Sequence, residues 1–200
     1  MSRGDRTSRR DFLRLAAGAS TAFAAARPAP VAAQAPLSPT PSCPDEPPAT
    51  PRQTAGPFFK PDSPRRTSLL EPGMGGVKIV LSGLVLSTGC RPVGRALIDV
   101  WHADDRGAYD NSGTRLRGHL FTDDQGRYRL ETIVPGAYVG RTRHYHVKVQ
   151  APNRPVLTTQ LYLPGDPGNE RDPIFNRALV MQVRDAADGK AGTFDFVLNL

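Results

Sequence analysis

Little in this chain announces a common protein class. Only two cysteines, Cys43 and Cys90, stand in 200 residues, and their wide separation matches no zinc-site spacing. No stretch approaches the length of a membrane span in the mature region, so stable membrane insertion is not expected. No internal repeat of solenoid length occurs. After Gly76 no apolar period of 3.6 residues is sustained, which argues against a helical bundle. Basic charge is also scarcer than the whole-chain figure suggests. Residues 1–35 hold six arginines and two aspartates, so the formal net charge of +7 falls to +3 beyond them. That mild balance makes no case for nucleic acid.

What is present divides into three parts. Residues 1–35 carry Ser8-Arg9-Arg10-Asp11-Phe12-Leu13, an alanine-rich apolar stretch from Leu13 to Ala26, and small-residue cleavage candidates. A charged start, an apolar middle and small residues describe an export signal, here of the twin-arginine type. It implies the twin-arginine export machinery as a transient partner and a periplasmic or secreted location in a bacterium. In such an oxidising compartment a Cys43–Cys90 disulfide is chemically allowed, the alternative being two unrelated thiols. Residues 36–75 are dense in proline and read as an extended lead, with Thr54-Ala55-Gly56-Pro57-Phe58-Phe59 as an island that docks. Residues 76–200 hold short β-prone runs separated by Gly, Pro and Asp. The strands are expected near Val77–Leu86, Ala96–His102, His119–Thr122, Arg127–Glu131, His144–Gln150, Thr158–Leu163, Leu179–Val183 and Thr193–Leu200. That pattern argues an all-β fold, a single antiparallel β-sandwich with long irregular loops.

One run concentrates chemistry: Arg141-Thr142-Arg143-His144-Tyr145-His146-Val147. On a strand, residues i and i+2 leave the same face, so His144 and His146 point together while Tyr145 points away. Two imidazoles on one rigid face make half of a metal site. Tyr109 and Tyr138 stand in the two longest irregular stretches and offer two oxygen donors. Phenolate is a hard, strongly donating ligand suited to a highly charged cation. Taken singly, each tyrosine reads as a packing residue and each histidine as a hydrogen-bonded strand residue. Trp101 reads as core and His119 as structural. Asp123-Asp124 reads as turn chemistry.

At these residues the chain resembles the intradiol ring-cleavage dioxygenases, the family of protocatechuate 3,4-dioxygenase and catechol 1,2-dioxygenase. The likeness runs from about Thr54 to the C-terminus. It rests on Thr54 to Phe59, on Val100-Trp101-His102-Ala103 with Gly107 and Tyr109, and on Pro135-Gly136-Ala137-Tyr138. It continues through Arg141 three before His144-Tyr145-His146, and through Leu157 to Tyr162 followed by Pro164-Gly165-Asp166. The resemblance implies one non-haem Fe(III) per chain held by Tyr109, Tyr138, His144 and His146. Tyr138 and His146 would be the axial pair. A catechol-type substrate would chelate the metal while Tyr138 leaves it with a proton. Arg141 would stabilise developing negative charge and Gln160 would hydrogen-bond near the same centre. With O2, the ring would open between the two hydroxyl-bearing carbons to a cis,cis-muconate-type diacid. Lys60, Arg143 and Arg106 are the candidate cations for a carboxylated substrate; a homo-oligomer is allowed. The same sandwich framework also resembles metal-free carboxypeptidase-regulatory-like or transthyretin-like binding modules, from which Tyr109, Arg141, His144 and His146 would separate it.

Overall fold

The structure is a computed structural model that describes residues 47–138 and 140–200. The export-signal reading of residues 1–35, the start of the proline-rich lead and Cys43 lie outside the described residues. Cys90 is not a free thiol.

Among the described residues nine strands form: β1 Lys78–Ser87, β2 Leu97–Trp101, β3 Arg117–Phe121, β4 Arg127–Ile133, β5 His144–Gln150, β6 Leu157–Tyr162, β7 Gln182–Ala186, β8 Gly189–Thr193 and β9 Phe196–Leu198. The only helices among the described residues are two 3-10 turns, Asn169–Arg171 and Arg177–Leu179. One sheet runs β4-β1-β8-β7 with β9 also on β1, and the other runs β3-β2-β5-β6. The all-β sandwich therefore stands as expected. Its pairings are antiparallel except those of β1 with β8 and with β9, which are parallel.

Alternation explains why the sheets stack. Leu81, Ile98, Val100, Leu130, Val147, Leu161 and Phe196 converge between them and all are buried. Burying apolar area on this scale is the main stabilising term of the fold. Period-two geometry then sends the other residues of β2, β5 and β6 to the outer face of the four-stranded sheet.

Two strand expectations need correction. The run Leu179–Val183 begins as a 3-10 turn, and its strand, β7, starts at Gln182. The last run, Thr193–Leu200, is two strands with a step between them. Phe194 N bonds Ser82 O at 3.0 Å, and Asp195 Oδ1 accepts from Leu84 N at 2.7 Å. The step lies beside Gly83, where a Cβ would collide with the Phe194 carbonyl. β8 escapes sequence reading because Gly189-Lys190-Ala191-Gly192 lacks the branched and aromatic side chains that mark strands.

The proline-rich segment does more than lead into the domain. Gln53 N bonds Thr158 O on β6 (2.8 Å), and Arg66 N bonds His119 O on β3 (2.9 Å). Between these anchors the chain crosses the outer face of the four-stranded sheet. It then reaches β4, where Leu69 N bonds Glu131 O at 2.8 Å and the Leu69 side chain is fully buried. Residues 50–69 are thus the roof over a sheet face that would otherwise be open to water.

Candidate metal centre

The outer face of the four-stranded sheet carries a row in register: Trp101 on β2, His146 on β5 and Gln160 on β6. His144 sits two residues from His146 on the same face, and the two Nε2 atoms approach to 3.1 Å. Tyr145 points the opposite way, buried, its hydroxyl donating to Ile133 O at 3.1 Å. The i, i+2 reading therefore describes the strand as it is.

Each imidazole is held in a form that could serve a metal. His144 Nδ1 donates to the Thr142 carbonyl at 2.6 Å, which leaves a lone pair on Nε2. His146 stacks on Trp101, ring centroids 5.0 Å apart and planes within 3°. A Cβ on Gly56, whose φ is +67°, would come 3.2 Å from His146 Cε1, so only a glycine in the roof lets the backbone lie on that ring. Burial, with the Arg141 charge adding, pulls His144 down to about 4. Burial, then the neighbouring His144, pulls His146 down to about 2. Both rings are therefore neutral near pH 7, as a metal ligand must be. His146 Nδ1 is buried without a hydrogen bond of ordinary geometry; the Thr54 backbone is the polar group that acts on it.

The two tyrosines reach the histidines from separate loops. Tyr109 Oη lies 3.5 Å from His144 Nε2, and the Tyr109 and Tyr138 rings meet edge to face with centroids 5.7 Å apart. Phe58 of the roof stacks on Tyr109 at 4.3 Å and presents its edge to Tyr138 at 6.0 Å. Burial, with Tyr138 beside it, pushes the Tyr109 phenol above its ordinary value. A phenolate here needs a cation as neighbour. Among the described residues no three of His, Cys, Asp and Glu cluster as a metal site. The donors that do converge are two imidazoles with two phenols alongside. That set fits a hard trivalent cation such as Fe(III) better than zinc, which takes Cys, His or carboxylate.

Arg141 stands over Tyr138. Its Nη1 donates to Tyr138 Oη at 3.3 Å and its Nη2 to Gln160 Oε1 at 2.6 Å. Burial pulls its pKa down, but the Asp172 carboxylate more than reverses this, so Arg141 stays charged. Gln160 is fully buried and occupied by protein groups. Its Oε1 accepts from Arg141 and from Tyr162 Oη (3.2 Å), and its Nε2 donates to Thr54 O at 3.1 Å. Gln160 therefore holds Arg141 and the roof in place.

Some residues take places that sequence reasoning did not assign. Trp101 is buried, but under His146 and not between the sheets. His102 lies fully buried between Ala103 O (2.7 Å) and Thr132 Oγ1 (2.6 Å). His119 ties the roof to β3 through Ser63 O at 2.7 Å. Of the three candidate cations, Lys60 bonds the carbonyl of Gly113 at 2.8 Å and Arg143 pairs with Asp166. Asp172 was not anticipated. Its signal is the Asp172-Pro173-Ile174 run, in which the carboxylate accepts the Ile174 N–H two residues on (3.0 Å) as an Asx turn.

Comparison with known proteins extends these observations. A family model described as "Dioxygenase" matches residues 54–200. The hydroxyquinol 1,2-dioxygenase of Nocardioides simplex is 34% identical over 151 residues, covering 64% of this chain and 52% of that protein. The protocatechuate 3,4-dioxygenase beta chain of Burkholderia cepacia is 38% identical over 120 residues, 50% of each. The chain thus spans about half the length of these curated relatives. A solved structure is similar with a TM-score of 0.75 and 56% identity, covering 76% of this chain and 99% of that one. It is the dioxygenase domain of a dioxygenase and carbohydrate-binding protein fusion from the cellulolytic bacterium Streptomyces sp. SirexAA-E.

Proposed function

The chain belongs to the intradiol dioxygenase family, and from that membership we infer a non-haem Fe(III) enzyme that cleaves a catechol-type ring between its two hydroxyl-bearing carbons. The observation that carries this reading is the convergence of His144, His146 and Tyr109, with Tyr138 and Arg141 beside them, under one roof. Nothing in a metal-free binding module calls for two neutral, buried imidazoles facing each other at 3.1 Å, so that alternative is not favoured.

Tyr109, Tyr138, His144 and His146 would hold the ion. When bound, ferric iron supplies a Lewis-acid centre that draws a catechol in as its dianion and makes the ring reactive toward O2. The protein's own groups do the rest. Tyr138, whose oxygen Arg141 touches, would take up one proton of the incoming diol, and the other would leave to solvent. Arg141 remains charged and opposes the negative charge that develops on the substrate. Trp101 and Gly56 hold the His146 ring between them, which fixes its lone pair. Phe58 and the rest of the roof keep bulk water off Tyr109. Both atoms of O2 enter the product, a cis,cis-muconate-type diacid.

Oxygen uptake by the purified iron-loaded protein against a panel of catechols, with mass spectrometry of products, tests the reading. The expected result is a red-brown protein that consumes one O2 per diol and yields the diacid. A colourless protein, or a semialdehyde product cleaved beside the diol, would overturn it. Arg141→Ala is expected to keep iron and lose turnover by on the order of 100-fold. The Ser8 to Leu13 run supports export by the twin-arginine route to the periplasm or beyond. Finding the full-length precursor, uncleaved, in the cytoplasm of its native host would contradict that.

A further inference from the structure

The buried carboxylate of Asp172 lies behind Arg141, on the side away from Tyr138. Its side chain has no solvent exposure. Oδ2 accepts from Arg141 Nε at 2.8 Å and from the Thr142 N–H at 3.0 Å, while Oδ1 accepts from the Ile174 N–H at 3.0 Å. Three donors therefore fix the carboxylate, and the carboxylate in turn fixes one edge of the guanidinium. The other edges then have one direction available. Nη2 meets Gln160 Oε1, itself held by Tyr162 Oη, and Nη1 meets Tyr138 Oη. A guanidinium is planar, so pinning Nε and Nη2 leaves Nη1 no freedom of aim.

We propose that Asp172 is a positioning residue for the ring-cleavage reaction. It acts through Arg141, holding the guanidinium in the plane that reaches the Tyr138 oxygen. This rests on the intradiol reading above. A second feature supports a dedicated role. Asp172 follows the 3-10 turn Asn169–Arg171, and that turn is tied to the strand leading into β5 by Thr142 Oγ1 donating to Asn169 Oδ1 at 2.8 Å. Hydrogen bonds thus tie the element carrying Asp172 to the segment that leads into the strand carrying the histidines. A surface ion pair would be worth little. Here the carboxylate is fully buried, accepts three hydrogen bonds, and its partner reaches the Tyr138 oxygen.

The test is a double-mutant cycle on the iron-loaded enzyme with Asp172→Asn, Arg141→Ala and the double variant. Asp172→Asn keeps the volume but faces the Ile174 N–H or the Arg141 Nε–H with an NH2 group. The expected outcome is a fall in kcat of about 10- to 100-fold with KM nearly unchanged. Iron content should persist, and the visible tyrosinate-to-iron band should shift because Tyr138 loses its aligned donor. In the Arg141→Ala background the same change should have no further effect on kcat. Penalties that multiply would show a merely structural role and overturn the proposal. If Asp172→Asn fails to fold, Asp172→Glu carries the same cycle, keeping the charge but displacing it by one methylene. If both fail, hydrogen exchange in the wild type decides. An Arg141 Nε–H protected as strongly as the β5 amides supports the proposal, and one exchanging at the solvent rate overturns it. A wild type without colour or turnover would remove the intradiol reading and the proposal together; an active wild type with multiplicative penalties removes the proposal alone.

Discussion

Gly136 and Gly107 pack backbone to backbone. A Cβ on Gly136 would meet the Gly107 nitrogen and come 2.6 Å from Asp105 O, and a Cβ on Gly107 would meet the Ala137 carbonyl. Gly136 N also bonds Asp104 O at 2.7 Å. One of these glycines lies two residues before Tyr109 and the other two before Tyr138, so their contact sets the approach of the two phenols.

Gly136→Ala should force the loops apart. Overpacking of this kind costs roughly 1–3 kcal/mol, and iron should load poorly because the phenols no longer meet the imidazoles. Gly89→Ala is the control, since the nearest atom a Cβ would meet there is 3.8 Å away. Iron content and thermal melts of both variants check this. Full iron loading of Gly136→Ala would contradict it.

Tyr109→Phe keeps the ring on Phe58 and removes only the oxygen near His144. The melting temperature should move little, while the visible band weakens and kcat falls on the order of 100-fold. An unchanged spectrum would mean that Tyr109 is not a ligand.

Acid should destabilise the protein through His102. Burial pulls this ring from its ordinary 6.5 to about 4, so between those values the unfolded chain binds the proton and the folded chain does not. Stability is then fully present above about pH 6.5 and is lost as pH falls toward 4, by roughly 3 kcal/mol in all. His144 and His146 add to the same slope in metal-free protein. The His102→Gln variant should therefore show a denaturation midpoint that depends less steeply on pH from 6.5 to 4. Equal slopes in the two proteins would refute the assignment.

A chain beginning at Gly76 should not fold. It lacks Leu69, which fills the core, and the roof residues Gly56 and Phe58 that cover His146 and Tyr109. A chain beginning at residue 47 keeps all of these and should melt cooperatively. Circular dichroism melts of the two distinguish the cases, and a cooperative transition in the shorter chain would show the roof to be dispensable.

Alternation alone determined much of this protein. It places the β-rich run at residues 144–150 on a strand, sends His144 and His146 to one face and Tyr145 to the other, and makes a sandwich of residues 76–200. The resemblance to a known family brought Tyr109, Tyr138 and Arg141 into the same argument. What it could not reach were relations between segments far apart in the chain. Whether the proline-rich segment is a linker or a roof depends on bonds such as Gln53 to Thr158. Whether Gln160 meets substrate or holds Arg141 depends on Thr54 and Tyr162. Asp172 acquires its meaning only when the turn after β6 folds back onto Thr142. Local patterning specifies which face a side chain leaves, because that is set by the backbone's own period. Which partner waits on that face is a property of chain closure, and only the tertiary structure decides it.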